Sequence, residues 1–228
     1  MRIRDDIASE FNDFSVNYTS DMIKCVPHYL KLIASFTDYL PEQFRPQTIL
    51  DLGCGNGNVT SKLLELFPKS NYTLLDASQD MLILCKNQFK GYNIEVVQSY
   101  FQEFDFMPDH YDLIVAGFSF HHCTSDEKKV LFQKINNALK KGGLFSCSDL
   151  MINKRSQEHS HLLKDWQQFV FKSFPDGEKW KWLMEHYDEF DIPDDPHDQI
   201  EWLEAAHFKN IKLIAHEQYW AHIQAFKN

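Results

Sequence analysis

The stretch TILDLGCGNGNVT, residues 48–60, decides how this chain is read. Ile49, Leu50 and Leu52 form a short apolar run of the kind that makes a buried strand, and it stops abruptly at Gly53, Gly55 and Gly57. Beyond the glycines, Val59, Leu63, Leu64 and Phe67 recur at helical spacing until Pro68. A strand therefore runs through a glycine loop into a helix. Glycines permit positive φ and close approach of a ligand to the backbone, and a helix start offers unpaired N–H groups. The spacing is G-x-G-x-G, which differs from the G-x-G-x-x-G of dinucleotide-binding loops.

Working outward, the same alternation continues. Tyr72 to Leu75 is a second apolar run ending at Asp76, and Ser78 is placed to cap a helix carrying Met81, Leu82, Leu84 and Cys85 as far as Gly91. Ile94 to Val97 and Tyr111 to Ala116 read as the third and fourth strands. A helix is predicted from about Asp126 to Leu139 with Val130, Leu131, Ile135 and Leu139 on one face, closed by Gly142 and Gly143. Leu144 to Ser148 is the fifth strand. Short strands alternating with helices imply right-handed crossovers, hence an α/β fold with helices on both faces of a mostly parallel, Rossmann-like sheet. Ligands of such sheets sit beyond the carboxyl ends of the strands.

Two segments stand outside the alternation. Residues 1–46 read as helices, the second with Val26, Leu30, Ile33 and Leu40 on an apolar face. Residues 151–207 read as helical and rich in Trp, with a break at Ile192 to Pro196. Ile211 to Ile214 and Tyr219 to Phe226 look like a β-hairpin rejoining the sheet. The chain is thus expected to be one domain: an N-terminal helical lid (1–46), a ligand-binding core (47–150), a helical substrate cap (151–207) and a C-terminal hairpin (208–228), with seven strands in all.

Composition narrows the functional classes. The 228 residues carry a formal charge of −10, and 14% of them are aromatic, too many for a disordered chain. The segment from Glu185 to Glu201 holds eight acids and no Lys or Arg, so the remaining residues are almost balanced. No basic stripe emerges, and the net charge repels a phosphate backbone, so a nucleic-acid partner is not expected. The five cysteines are widely spaced and odd in number, which argues against a disulfide framework or a zinc knuckle. The start, MRIRDDIASEF, lacks the apolar region of a signal peptide, and the longest apolar run is far short of a membrane span. A reduced, cytoplasmic protein, monomeric or homodimeric and away from the membrane, is the expectation.

Two carboxylates frame the glycine loop. Asp51 lies two residues before Gly53; it would repel a pyrophosphate but can hold an α-amino group, directly or through water. Asp76, at the end of the second strand, can accept both hydroxyls of a ribose. A ligand with a ribose, an amino-acid end and no phosphate points to S-adenosylmethionine (SAM). At these residues the chain resembles a known family: DLGCGNG (51–57) and LLDAS (74–78) are similar to motifs I and II of the class I SAM-dependent methyltransferases. YDLIVAGFSFHH (111–122) and LKKGGLFSCSD (139–149) resemble the later motifs.

The resemblance, firm over about residues 45–150, implies that Gly53, Cys54 and Gly55 lie under the methionine portion. It implies Asp76 on the ribose with Ala77 beside it, Met81 on the adenine and the backbone of Gly117 at the methionine end. Ser99, followed by Tyr100, stands where the family usually has an acid that receives the adenine amino group. The ends, DDIASEF…VPHYLKLI and AAHFKNIKLIAHEQYWAHIQAFK, are similar to a bacterial carboxy-SAM synthase of the tRNA wobble-uridine pathway, in which the Tyr at position 29 closes over the cofactor. That family's carboxylate-binding Arg falls near Trp202, and it has a Ser where Gly55 stands, so a plain methyltransferase is the first expectation. A carboxy-SAM synthase-like or tRNA-modification enzyme and a non-catalytic SAM-binding module are the alternatives.

His121 and His122 follow the fourth strand and face the expected cleft, where either could be a general base or a capping and packing residue. With Cys123 they are three adjacent residues that cannot all turn to one metal, so no metal site is expected. The tryptophans at 166, 180, 182 and 202 read as a small core or a cation–π cage. The acidic stretch reads as a solvated face or as an attractor of a cationic acceptor. The expected reaction moves the SAM methyl to an O, N or C nucleophile of a small-molecule acceptor, leaving S-adenosylhomocysteine.

Overall fold

A computed structural model describes residues 17–228; DDIASEF and the rest of residues 1–16 lie outside the described residues. The apolar run after Thr48 forms β1 (Thr48–Leu52), whose last four residues are buried. It pairs in parallel with β2 (Asn71–Asp76) on one side and β4 (Tyr111–Gly117) on the other. Being central and covered on both faces, it reads as a continuous apolar run without alternation. With β3 (Ile94–Gln98), β5 (Leu139–Leu150), β6 (Lys209–Glu217) and β7 (Trp220–Phe226) the sheet has seven strands in the order β3-β2-β1-β4-β5-β7-β6. The first five are parallel; β7 runs antiparallel between β5 and β6. The expected Rossmann-like sheet and C-terminal hairpin are both present.

Successive residues of a strand face opposite layers. Ile49, Leu113, Val115 and Leu144 enter one apolar cluster with α2 (Tyr29–Asp38), α3 (Asn58–Leu66) and α4 (Gln79–Gln88). Leu50, Leu52, Ile114 and Phe145 enter the other with α5 (Ser125–Ala138) and α8 (Pro196–Ala205). α1 (Tyr18–Cys25), α6 (Glu158–Phe171) and α7 (Glu178–Phe190) extend the first layer over the carboxyl edge of the sheet, where Trp166 donates its indole N–H to the Cys25 carbonyl at 2.5 Å. Among the described residues no helix is long and apolar enough to cross a membrane.

Three local expectations need correction. Leu30 is 60% exposed; the buried face of α2 is Tyr29, Leu32, Ile33 and Phe36. His28, at φ +61°, restarts the chain after Val26 and Pro27, so the phase of the helix is set there and Leu30 falls outside. Val130 is likewise exposed and Phe132 takes the inner position, because α5 begins at a capping box between Thr124 and Glu127. Nor do the paired glycines close α5. The helix ends at Ala138, and β5 starts at once: Tyr111 pairs with Leu139 but Leu113 with Leu144, so residues 140–143 bulge out of the ladder.

β7 carries a histidine through the middle of the protein. His222 is fully buried and hydrogen-bonded to Ser35 on one ring nitrogen and to Ser146, at 2.6 Å, on the other. Burial depresses its pKa to about 3, so it is neutral.

Candidate active site

The strand order reverses between β1 and β4, and a crevice opens beyond their carboxyl ends. The glycine loop forms its floor. Gly53 has φ +69°, and a Cβ there would stand 2.5 Å from that of Ser119, which follows β4 and donates its hydroxyl to the Leu52 carbonyl. The two strand ends can cross this closely only with glycine at that position. Gly57, at φ +87°, makes room for the Phe89 ring and leads into α3.

The crevice is a cavity of about 770 Å³ that opens to solvent. Its wall includes Gly53, Gly55, Asp76, Ala77, Met81, Ser99 and Tyr100, and also Tyr18, Phe118 and His122. Asp76 is held by two backbone donors: the N–H of Gly55 at 2.8 Å to one oxygen and that of Ser78 at 2.9 Å to the other. Burial pushes its carboxyl above the usual range, while those N–H groups pull the other way. Both oxygens keep lone pairs for a diol in the cavity. Ser78 caps α4 by accepting the Met81 N–H, which sets Met81 in the wall.

Other expected residues lie elsewhere. Asp51 is fully buried beside the glycine loop rather than in the cavity wall. Thr60 donates its hydroxyl to one carboxylate oxygen at 2.6 Å, and the other has no hydrogen-bond partner among the described residues. Burial pushes its pKa up to about 7 against that hydrogen bond. Cys54 is buried outside the wall; Gly117 sits where a Cβ would strike Val59 at 2.6 Å. Tyr29 packs on Phe118 with ring centroids 5.1 Å apart and accepts from the Asn58 amide at 2.8 Å, so it supports the wall from behind. Of the tyrosines on the first two helices, Tyr18 is the one that reaches the cavity. Its place could not be read from periodicity; Phe118, at φ +56°, carries no sequence signal either.

A second cavity, about 750 Å³, adjoins the first, and Tyr18, Phe118 and His122 line both. Its walls are aromatic: Trp166, Trp182 and Trp220. Trp166 meets Trp220, Trp180 and Tyr187 edge to face, while Trp180 packs only at the margin of the core. Trp202 lies on the other layer with Lys129 over its ring. The polar end of this chamber is His121, His122, His186 and Asp191. His121 bonds through Nδ1 to Asp149, and its backbone N–H donates to the same carboxylate at 2.9 Å. Burial opposes protonation of His121, but Asp149 and Asp191 outweigh it and hold its pKa above the ordinary value. Burial lowers that of His122. Of the acidic stretch, Asp191 is buried here, and Asp194 pairs with the buried Lys128 at 2.5 Å. Only part of that stretch is a solvated face.

The residues present fit SAM. A backbone-braced carboxylate faces the crevice, and an orphaned carboxylate oxygen lies beside its glycine floor.

Residues 49–143 match a family described as a methyltransferase domain. An uncharacterized methyltransferase of Bacillus cereus (strain 03BB102) is 29% identical over 141 residues, covering 61% of this chain; the match spans 65% of that relative's own length. Among solved structures, human N-acetylserotonin methyltransferase in complex with SAM superposes with a TM-score of 0.65 at 16% identity, covering 97% of this chain and 56% of that one. A Thermotoga maritima SAM-dependent methyltransferase, described as a possible histamine N-methyltransferase, gives 0.66 at 14% identity over 96% and 98% of the two chains. At such identities the structural likeness bears on the fold; the likeness to a methyltransferase domain rests on residues 49–143. Over residues 49–143 this chain is similar to methyltransferase domains, and it shares its fold with SAM-dependent methyltransferases of known structure.

Proposed function

We propose that this protein transfers the methyl group of SAM to an O, N or C nucleophile of a small molecule held in the aromatic chamber. The observation that carries the reading is the junction of the two cavities at Tyr18, Phe118 and His122. SAM, when bound, supplies an electrophilic methyl on sulfur. Asp76 holds the ribose hydroxyls, and the orphaned oxygen of Asp51 attracts the ammonium through the glycine loop. Phe118, Tyr18 and the tryptophans exclude water and align the acceptor along the axis joining the cavities. Positioning of this kind can account for roughly 7–11 kcal/mol of a barrier.

In this reading α1, through Tyr18, is a lid over the cofactor, and α6 to α8 form the acceptor's cap. The His121–Asp149 pair and His122 make the polar end against which the acceptor's reacting group is oriented. An aromatic or apolar body with one polar group, an amine included, fits a chamber of three tryptophans ending in histidines and a buried carboxylate.

The test is cofactor binding by calorimetry, followed by S-adenosylhomocysteine formation against a panel of aromatic alcohols, acids and amines. Asp76→Asn keeps one acceptor oxygen and loses the charge. Each charge-assisted bond contributes about 1.5–3 kcal/mol, so binding should weaken roughly 10- to 150-fold. Unchanged SAM affinity in that variant would refute the assigned cofactor site.

A further inference from the structure

The polar end of the acceptor chamber contains more than a proton-transfer pair. His121 and His122 occupy the short 3₁₀ turn Phe120–His122 after β4, with ring centroids 4.0 Å apart. Asp191, in the segment after α7, comes to meet them. Its Oδ1 lies 3.2 Å from His122 Nδ1 and 3.7 Å from His121 Nε2. Donor atoms of these three residues all fall within 4.8 Å of one another. No hydrogen bond ends on Asp191 Oδ1 among the described residues, although that atom is buried amid nitrogen atoms. Both imidazoles stand at ion-pair distance from that oxygen.

This spacing suits coordination. A metal held by bonds of about 2.0–2.2 Å in tetrahedral geometry keeps its ligand atoms about 3.3–3.6 Å apart, close to the 3.2 and 3.7 Å from Asp191 to the two imidazoles. The support around the ligands suits it too. Asp149 bonds the far nitrogen of His121 and accepts its backbone N–H, the carboxylate–histidine arrangement that orients metal-binding imidazoles. On the other side, Ile192 donates its N–H to the His121 carbonyl at 2.6 Å, tying the Asp191 segment to the histidine turn. His186 Nε2, 3.5 Å from the same Asp191 oxygen, stands at the rim.

We propose that His121 Nε2, His122 Nδ1 and Asp191 Oδ1 form a binding site for a divalent transition metal of the zinc class, open on the chamber side to an oxygen or nitrogen of the acceptor. Two imidazoles and one carboxylate suit zinc, cobalt or iron, and three protein ligands leave a coordination position free. Cys123, the neighbour of the two histidines in sequence, is not part of this cluster. The third ligand comes instead from 69 residues beyond His122, out of the acidic stretch. A metal here holds and polarises a chelating acceptor, such as a hydroxy acid, a keto acid in its enol form or a catechol. The inference rests on the second cavity being the acceptor's.

The test uses purified, chelator-stripped protein titrated with Co²⁺ and Zn²⁺, read by the visible absorption of bound cobalt and by metal content after dialysis. Native protein should take up one equivalent with a four- or five-coordinate cobalt spectrum. His121→Ala and Asp191→Ala should each abolish that spectrum while retaining the thermal shift given by SAM, which shows that they are folded. If one of them fails to fold, the other decides. Asp149→Asn should weaken metal binding roughly 10- to 100-fold while leaving the cobalt spectrum's form unchanged. No stoichiometric uptake by native protein, or unchanged uptake by both ligand variants, would overturn the proposal. Metal binding without any methyl transfer would count against the proposed reaction alone; methyl transfer at full rate in stripped protein would count against the metal alone.

Discussion

Replacing Asp51 by Asn should change the pH dependence of stability in a direction opposite to that of most carboxylates. In the folded protein burial pushes the Asp51 pKa from 3.8 up to about 7; in the unfolded chain it returns to the ordinary value. Between those two values the folded state holds a proton that the unfolded state has released. Stability contributed by this group is therefore complete below about pH 4 and is lost as pH rises to about 7. At 1.36 kcal/mol for each tenfold change, the gap amounts to at most about 4 kcal/mol. Asn cannot titrate and still accepts the Thr60 hydroxyl. In urea titrations without cofactor, the variant should gain stability relative to native protein as pH rises from 5 to 8, by about 2–3 kcal/mol, while binding SAM more weakly at pH 8. All other titrating groups are common to both proteins, so the difference isolates Asp51. A stability difference that stays constant across that range would refute the buried, protonated Asp51.

His222 should behave in the opposite sense. Its folded pKa of about 3 lies below the ordinary 6.5, so its contribution is present above pH 6.5 and fades as pH falls. The stability advantage of native protein over His222→Gln should shrink by about 3 kcal/mol between pH 7 and pH 4 in denaturant titrations; an unchanged advantage would contradict a neutral core histidine. Gly57→Ala forces a side chain into φ +87° and within 2.5 Å of the Phe89 ring. Strain of about 1–2 kcal/mol and overpacking of about 1–3 kcal/mol should together lower the melting temperature by several degrees, and a melting curve equal to the native one would show that the loop tolerates a Cβ.

Much of the architecture could be read from residues alone because its signals are local. The strand runs, the Ser78 cap and the glycine spacing each declare themselves within a few positions. Asp76, Ala77, Met81, Ser99 and Tyr100 could be placed at the cavity because they lie at or just beyond the carboxyl ends of neighbouring parallel strands. Helix faces were less legible: Leu30 and Val130 point outward because His28 and Thr124 set the phase, and an apolar period does not locate its own start. Least legible were the contributions of distant segments. Tyr18 reaches the cavity from α1, Asp149 orients His121 from β5, and Asp191 arrives from a stretch whose composition suggested a solvated surface or an attractor of cations but no particular residue. Their places are decided by packing between layers, which no window of sequence contains.

Lys128 has a consequence beyond its own ion pair. Almost wholly buried on α5, it donates to the Ile192 carbonyl at 2.6 Å and to Asp194 at 2.5 Å, and so rivets the strap that carries Asp191 onto the sheet-bearing core of the molecule. The polar end of the chamber is thus a composite: two histidines belong to the core and the carboxylate to the inserted helices. Because the strap is fastened on its own, the inner surfaces of α6 and α7 can change while the carboxylate keeps its station. Interchangeable walls around a riveted anchor let the shape of the aromatic chamber vary independently of its polar end.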